Sequence, residues 1–427
     1  MENPYEERED QLRQLSRKSG DCLLRGEFEV AETIARELLA TAEYASEDWQ
    51  SFAHLRLGTI LENVGRYEEA LQQAHLARSV VLQDHPNWLN AAGLIGNILL
   101  HHKNDLAGAR IQYQSVLRFE ADSPFALCNL AATESRQGEI ELSRKYALRA
   151  IEASRKKQDR EHLSVAFNLL GDAERDTGNT TQAMKHYRSA LAISEEIGRR
   201  RGISIACQSL SRIECERGNY NAGLELGQRV IRVETKMGRR AEVEDACFRL
   251  SHRLKDVEEP EVVSAVIAIL QTALEVAADS SAKVLALQEK AWLHKKLEQL
   301  DQAEHALTEA MKHLEQSDEQ MAKTHWLMGI VNYNRQLPGA AQASFVEALE
   351  LAEQYGHTRV QQISHSSLGF QSVEQDPFQA CHHWQLALEI AQRDGDQEYA
   401  KKYAKKYAAY LKQYRPTMIA RLRNWLR

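Results

Sequence analysis

Apolar side chains recur along the chain at the spacing of an α-helix that buries one face. Around residue 170, Phe167, Leu170 and Gly171 fall at positions i, i+3 and i+4, and Val165 and Leu169 widen the same face. Such a stripe predicts an amphipathic helix. With 7 prolines and 21 glycines in 427 residues, little in the chain interrupts helices. The sequence therefore predicts an all-α protein.

The segment from Ala166 to Gly238 contains two copies of one helical unit. Gly171 and Ser211 are 40 residues apart, and so are Gly178 and Gly218. A fixed period of this size is typical of stacked helical hairpins, in which each unit packs only on its neighbours. Two short turns subtracted from such a period leave about 17 residues, or about 26 Å, for each helix.

Small residues mark two points in nearly every unit, one on the first helix and one 12 positions later on the second. They let the two helices approach closely, whereas a bulky side chain would push them apart. The first-helix anchors are Ser19, Gly58, Asn97, Ala131, Gly171, Ser211, Ser251, Ala291, Gly329 and Gly369. Their second-helix partners are Ala31, Ala70, Ala109, Ser143, Ala183, Gly223, Ala303, Ala341 and, one position early, Ala380.

This pattern resembles the tetratricopeptide repeat. The second unit carries Leu57-Gly58, Gly65, Tyr67, Ala70, Ala74 and Ala77. The fifth carries Phe167, Leu170-Gly171, Gly178, Ala183, Tyr187 and Ala190, and the ninth carries Gly329, Ala341, Phe345 and Ala348. The 40-residue spacing is similar to that of the long-helix subclass of the family. The resemblance implies a right-handed superhelical solenoid of about ten repeats over residues 1–395.

Charge and cysteine content narrow the partners and the compartment. A net charge of -7 gives no general attraction to nucleic acid or to an anionic membrane, so no nucleic-acid partner is expected. No apolar run approaches the ~20 residues that span a bilayer, and the charged N-terminus is unlike a signal peptide. The 6 cysteines form no CxxC pair, which favours reduced thiols and a cytoplasmic location.

The sequence offers no catalytic constellation. It contains no phosphate loop, no nucleophile elbow and no HExxH motif. The only paired histidines are His101-His102 and His382-His383. Cys381 stands beside His382 and suggests a metal site, but adjacent residues on a helix face about 100° apart and cannot readily share one ion. The carboxylates are expected to follow solvated helix faces. We therefore expect no enzyme activity, no cofactor and no metal.

Binding in such a solenoid is expected on the concave surface lined by the first helices. Three positions of each first helix should face this surface. They are the third residue before the small anchor, the residue directly after it, and a residue one turn further along. These positions predict a groove that is polar in the middle and aromatic toward the C-terminus. The candidate partner-binding residues are Asn168, Asp172, Arg175, Gln208, Arg212, His252, Lys255, Trp292, Lys295, Trp326, Tyr333 and Phe370; Phe248, Gln288, Ile330 and Ser366 occupy further groove positions.

The first hypothesis is a non-enzymatic scaffold or adaptor that holds a peptide or protein element in this groove. Exposed Trp and Tyr are favoured interface anchors, which supports it. A second hypothesis is a peptide-responsive sensor, similar to the Rap-type and MalT-like regulators with long-helix repeats. A third is an accessory subunit that positions an enzyme, or an enzyme itself.

Two regions depart from the pattern. The seventh repeat is degenerate: Asp256–Pro260 replaces the glycine turn, and Pro260 suits a helix start. The apolar run from Val262 to Ala278 then predicts a deeply covered helix or, alternatively, a bend or a self-association face. Asp279 is expected to cap the next helix.

The C-terminal residues 396–427 are basic and rich in tyrosine. Tyr399, Tyr403, Tyr407, Tyr410 and Tyr414 form one helical stripe, which predicts a helix that caps the last repeat. Lysines 401, 402, 405 and 406 should remain in water, and a short helix should follow from Thr417 to Arg427. The alternative is a basic end that binds an acidic partner or a membrane surface, or mediates self-association.

Overall fold

The computed structural model describes residues 4–314, 319–373, 376–405 and 407–409. Within these ranges the chain forms twenty helices and no strand, and residues 397–405 and 407–409 are also helical. The helices are α1 Pro4–Arg25, α2 Phe28–Ala42, α3 Glu47–Val64, α4 Tyr67–Ser79, α5 Pro86–His101, α6 Leu106–Phe119, α7 Pro124–Arg136, α8 Ile140–Lys156, α9 Arg160–Asp176, α10 Thr180–Glu196, α11 Arg200–Glu216, α12 Tyr220–Lys236, α13 Arg240–Leu254, α14 Pro260–Val276, α15 Ser280–Lys296, α16 Leu300–Met311, α17 Glu319–Asn334, α18 Pro338–Tyr355, α19 Thr358–Gln371 and α20 Pro377–Arg393.

The chain divides into two compact units, Met1–Ile213 and Glu214–Arg427. In the first unit, α1 to α10 pack as consecutive pairs, each helix lies against the next, and α3 also contacts α5 as α7 contacts α9. In the second unit, α13 to α20 pack in the same way, with α15 against α17 and α17 against α19. The prediction of an all-α protein of stacked helical hairpins is confirmed.

The links between helices set the period. Helices α8 to α12 have 17 residues each, as predicted. After α9, the N–H of Gly178 donates to the carbonyl of Arg175 (2.8 Å) and that of Asn179 to Glu174 (2.8 Å). Gly178 has φ +83°, a left-handed conformation that glycine adopts without steric cost and that ends a helix sharply.

Small residues do allow the helices of a pair to touch. A Cβ added at Gly171 would lie 2.6 Å from Cε1 of Tyr187, and one at Gly329 would lie 2.5 Å from the ring of Phe345. In the third repeat the predicted anchor is wrong by one position. There Gly96, not Asn97, faces the aromatic ring, since its Cβ would lie 2.7 Å from Cε1 of Tyr113. The cause is a link one residue longer than that after α9, because α5 ends at His101 and α6 begins only at Leu106.

The seventh repeat starts and ends as predicted. Pro260 is the first residue of α14, and the carboxylate of Asp279 accepts the N–H of Ala282 (2.8 Å) at the start of α15. The apolar run is mostly covered, because α14 buries a stripe of aliphatic side chains: Val262, Val263, Val266, Ile269, Leu270 and Ala273. Self-association through this repeat stays a prediction.

Four glutamates contradict the expectation that carboxylates follow solvated faces. Glu134, Glu174, Glu214 and Glu234 are all buried. Each lies near a helix end, where it meets polar side chains from a neighbouring helix or the following link. Glu134 accepts from the Arg110 guanidinium of α6, and Arg144 of α8 lies 3.0 Å from Glu174. Glu134 and Glu174 therefore join neighbouring helices in the interior, whereas Glu214 and Glu234 bind Asn219 and Arg239 in the links that follow their own helices.

The six cysteines are unpaired, and five of them are buried, in keeping with reduced thiols. Burial raises the pKa of Cys128 and of Cys247 to about 12, so both thiols stay protonated and unreactive near neutral pH. None of the helices in the described ranges has the length and apolarity needed to cross a bilayer.

Candidate binding cleft

Three first helices of the second unit enclose a cleft of about 360 Å³. We call it the second-unit cleft; it lies between the end of α13, the middle of α15 and the start of α17. It brings together four predicted groove residues, His252, Lys255, Trp292 and Trp326, with Gln288 beside them. Its lining is completed by Ser251, Glu289, Leu293, Lys323 and Leu327.

The α13 side of the cleft is polar and exposed. His252 lies in the last turn of α13, and Lys255 follows that helix directly as its C-cap. The backbone carbonyl of Lys255 accepts a hydrogen bond from Nζ of Lys296 (2.7 Å), so α15 holds the helix end in place. Both cleft side chains, His252 and Lys255, remain open to solvent.

Lys323 on α17 supplies an unpaired cation. Its ammonium makes no hydrogen bond or ion pair with any residue in the described ranges. Burial lowers the pKa of Lys323, and the carboxylates of Glu289 and Glu319 offset part of that effect. Glu289 is itself held by Ser251, whose hydroxyl donates to Oε2 (2.6 Å). The cleft thus contains a fixed carboxylate and a cation without a direct partner.

Gln288 supplies an unpaired acceptor. Its Nε2 donates to Thr324 Oγ1 (2.9 Å) and to the carbonyl of Gln320 (3.0 Å), which ties α15 to α17. Its Oε1 is buried and has no hydrogen-bond partner in the described part of the chain. A buried polar atom left unpaired costs about 1–3 kcal/mol, so a ligand that donates to it is stabilised.

The two tryptophans of the cleft differ in role. Trp292 is half-buried, with Nζ of Lys295 5.1 Å from its ring centroid, a cation–π contact outside the cleft. Trp326 donates from Nε1 to Ser367 Oγ (3.0 Å) and packs beside Phe345. Trp326 therefore joins α17 to α19, whereas Trp292 makes no hydrogen bond to another helix among the described residues.

The remaining aromatic predictions lie outside the cleft. Tyr333 is 54% exposed and Phe370 49% exposed, neither among the cleft residues. Phe370 packs edge-on against Trp384, with centroids 5.6 Å apart.

In the first unit, two predicted residues are bound to each other. Asp172 accepts from the hydroxyl of Tyr187 (2.7 Å) and from Arg175 (3.0 Å), and Arg175 also pairs with Asp176 (2.6 Å). These ion pairs raise the pKa of Arg175, while burial and the charge of Asp172 raise that of Tyr187. The network stabilises the fold and leaves little of either group for a ligand.

The other three candidates are at least half-buried. Asn168 on α9 is 6% exposed, and its Oδ1 has no hydrogen-bond partner in the described residues. Gln208 and Arg212 lie half-buried on α11. That any of the predicted residues binds a partner stays a prediction.

Sequence reasoning missed Lys323 because it followed each first helix back only three positions from the anchor, and it missed Glu289 because it did not include the position two before the anchor. Lys323 lies three residues before Trp326, one helical turn further along the same face. Extending the same spacing by one turn finds it.

No group of three or more metal-binding side chains occurs in the described ranges. Nδ1 of His383 lies 3.0 Å from Nδ1 of His365 on α19. Burial and the neighbouring histidines lower the pKa of His365 to about 4, which keeps this pair neutral near pH 7.

Part of the C-terminal stripe can be described. Tyr403 is buried against Ala387 and Ala391 of α20, and Tyr407 packs on the cluster around Trp384. Lysines 401, 402 and 405 are exposed. Lys406, Tyr410, Tyr414 and the short helix expected from Thr417 to Arg427 lie outside the described residues, and the capping role stays a prediction.

Comparison with known proteins gives a family and structural neighbours. Residues 122–196, which include α7 to α10, match the family described as Tetratricopeptide repeat. A signal transduction ATPase with numerous domains and a tetratricopeptide repeat sensor, from Pyrococcus horikoshii, is 15% identical with a TM-score of 0.50; the match covers 90% of this chain and 56% of that one.

Two further structures are more distant. Human IFIT1, solved as a dimer with PPP-AAAA, is 15% identical with a TM-score of 0.43 over 92% of this chain and 88% of that one. MamA from Desulfovibrio magneticus RS-1 is 18% identical with a TM-score of 0.34 over 44% and 97%. Curated proteins gave no match.

The matched segment, the paired helices and the glycine turns together define the class, an all-α helical-repeat protein. Residues 122–196 match tetratricopeptide repeats, and the described helices before and after them pack in the same paired way. This fold supports a protein-interaction scaffold in general.

Proposed function

We propose that this protein is a non-enzymatic scaffold that holds a peptide segment of a protein partner in the second-unit cleft. The observation that carries the proposal is the convergence of His252, Lys255, Trp292 and Trp326 from three helices on one cleft. Concave sites with an apolar wall and a few convergent polar groups are the usual form of binding pockets.

The chemistry of the cleft favours a partner segment with a carboxylate. Lys323 and Lys255 line it as cations, whereas its carboxylate, Glu289, already accepts from Ser251. A partner carboxylate next to Lys323 would restore a charge-assisted contact to a partly desolvated ammonium. A backbone N–H of the same segment would satisfy Oε1 of Gln288, and an apolar or aromatic side chain would cover Trp292.

The test uses a phage-displayed library of random 12-residue peptides selected on the full chain. Enriched peptides are synthesised and titrated by calorimetry against the wild type, Trp292→Ala and Lys323→Gln. Tyr333→Ala is the matched control, because Tyr333 is an exposed aromatic outside the cleft.

Enriched peptides should carry an acidic residue beside an apolar one. Their affinity should fall about 10-fold or more with Trp292→Ala and with Lys323→Gln, and less than about 2-fold with Tyr333→Ala. Trp326 is left intact, since its hydrogen bond to Ser367 makes it part of the fold. Equal affinity for all four proteins would exclude this cleft as the binding site.

A further inference from the structure

A second cleft, of about 560 Å³, lies in the first unit. We call it the first-unit cleft. It lies along α5 between α3 and α7, and none of its residues is among the candidate partner-binding residues predicted from sequence. Its walls are largely apolar side chains, Leu55, Leu89, Leu94, Val116 and Phe125, and its polar residues include Thr59, Glu62, Asn90 and Asn97.

Glu62 is an unpaired carboxylate in this cleft. Its side chain makes no hydrogen bond or ion pair with a residue in the described part of the chain. Burial raises the pKa of Glu62, and no nearby cation offsets the shift. Near pH 7 an ionised carboxyl group in this place lacks the partner that would compensate for its lost hydration.

The other carboxylates of the cleft are already satisfied. Glu120 forms an ion pair with Lys157, and Asp159 lies 2.7 Å from Nδ1 of His162. Among the described carboxylates that line the cleft, Glu62 is therefore the one without a hydrogen-bond or ion-pair partner.

Asn97 offers an oriented donor near this carboxylate. The hydroxyl of Tyr113 donates to Oδ1 of Asn97 (2.9 Å), which fixes the amide and leaves the two N–H groups of Nδ2 for another acceptor. The charge of Glu62 contributes, after burial, to the raised pKa of Tyr113, so Glu62 and this pair lie within electrostatic range.

We propose that the first-unit cleft binds a peptide segment in which a lysine or arginine follows an aliphatic residue. The basic side chain pairs with Glu62, the aliphatic side chain lies between Leu94 and Phe125, and Nδ2 of Asn97 donates to a backbone carbonyl of the segment. The charge of Glu62 fixes the sign of the ligand, and the apolar walls supply the burial. This site is separate from the second-unit cleft and does not depend on it.

The geometry implies that Glu62 costs stability in the unliganded protein. Neutralising an unpaired, partly buried carboxylate removes a desolvation penalty. Glu62→Gln should therefore leave the melting temperature unchanged or raise it, while binding weakens. A residue that serves only the fold would show the opposite effect on melting.

The experiment titrates the full chain with four capped octapeptides in a Ser/Gly background. Each has a central leucine followed by lysine, arginine, norleucine or glutamate, and norleucine matches the lysine stem without its charge. The proteins are the wild type, Glu62→Gln, Glu62→Lys and the control Glu37→Gln, which alters an exposed glutamate of α2.

The wild type and Glu37→Gln should bind the lysine and arginine peptides at least about 10-fold more tightly than the norleucine peptide. Glu62→Gln should abolish that preference, and Glu62→Lys should transfer it to the glutamate peptide. Equal binding of all four peptides by the wild type, a preference retained in Glu62→Gln, or a lower melting temperature of Glu62→Gln would each overturn the proposal.

Discussion

The two units use the same two positions of the repeat in different ways. In the fifth repeat, the buried Tyr187 on the second helix donates its hydroxyl to Asp172, the residue after the small anchor. In the ninth repeat, the equivalent positions are Phe345 and Ile330, and the contact is apolar. The backbone arrangement is the same, because Gly171 and Gly329 both face the ring at 2.5–2.6 Å from an added Cβ.

The difference shows that the second helix decides what the first helix presents to the groove. A tyrosine hydroxyl at the buried position holds a polar neighbour, as Tyr113 also does with Asn97. In the eighth repeat the corresponding side chain is Leu307, and the first helix there presents the ring of Trp292. The polar groove of the first unit and the aromatic cleft of the second thus have one local cause.

The largest expected effect comes from substitutions that disrupt the close approach of the two helices of a repeat. Gly171→Ala places a methyl group against a ring that cannot slide without lengthening its 2.7 Å hydrogen bond to Asp172. Gly329→Ala meets Phe345, which has no hydroxyl to hold it. We expect losses of about 2–3 kcal/mol for Gly171→Ala and about 1–2 kcal/mol for Gly329→Ala, measured by urea unfolding.

Gly339→Ala is the control. Gly339 lies in the same repeat as Gly329, and a Cβ added there would have nothing within 4 Å. The substitution should be neutral or slightly stabilising, as Gly→Ala in a helix generally is. Equal losses for Gly171→Ala and Gly329→Ala would show that the hydroxyl contact does not fix the ring.

The second prediction introduces the hydroxyl contact of the first unit into the ninth repeat, in the second unit. Phe345→Tyr alone buries a hydroxyl without a partner and should cost about 1–2 kcal/mol. Adding Ile330→Asn places an amide where Asn97 stands relative to Gly96, so the double variant should regain about 1 kcal/mol relative to the sum of the single changes.

The reverse change, Tyr187→Phe, should cost about 1 kcal/mol, because Asp172 keeps Arg175 as a partner. Urea unfolding of all four proteins of the Phe345/Ile330 cycle measures the coupling. A coupling energy near zero would mean that the two positions do not act as a pair.

The sequence predicts the fold well because its signals are local. The 40-residue period, the glycine turns and the small anchors are read within one hairpin, and all reflect backbone sterics. The anchor at Asn97 was misplaced because a longer link shifts the register of α5 against α6 by one residue. A one-residue change in a link is not visible when two small residues, Gly96 and Asn97, stand side by side.

The sequence predicts the residues of the two clefts only in part, because the chemistry of each cleft depends on contacts between helices far apart in sequence. Trp292 and Trp326 follow from the anchor rule, but the unpaired state of Lys323 depends on what surrounds it in space. The same holds for Glu62, whose lack of a cation cannot be read from the sequence. The buried Glu134 was unexpected because its partner, Arg110, comes from the preceding helix.

The third prediction concerns pH and the second unit. Burial and neighbouring histidines hold the pKa of His365 at about 4 and lower that of His383. A histidine in the unfolded chain has a pKa of about 6.5, so the unfolded chain takes up protons first as the pH falls. The stability that these neutral histidines contribute is therefore fully present above about pH 6.5, and it is lost progressively as the pH falls from there to about 4.

Differential scanning fluorimetry at pH 7.5 and pH 5 measures this loss for the wild type and His365→Gln. The variant should lose about 2–4 °C less than the wild type over that interval. The matched control in the first unit is His186→Gln. Burial lowers the pKa of His186, but the charge of Glu174 acts against this shift. His186→Gln should therefore change the pH dependence of the melting temperature less than His365→Gln does. Equal pH dependence of the wild type and His365→Gln would contradict this assignment.

The smallest expected effect tests whether the units differ anywhere besides the groove. Gln158 in the first unit and Gln336 in the second follow their helices with φ +55° and +61°, a conformation that glycine adopts in most of the other links. A side chain in this left-handed region costs about 1–2 kcal/mol, and the greater freedom of glycine in the unfolded chain cancels part of the gain. Gln158→Gly and Gln336→Gly should each stabilise the protein by about 0.5–1 kcal/mol in urea unfolding. Because both side chains are exposed, and their backbone N–H groups keep their bonds to Arg155 and Tyr333, the two gains should agree. A gain at only one site would show that the links, and not only the groove residues, distinguish the two units.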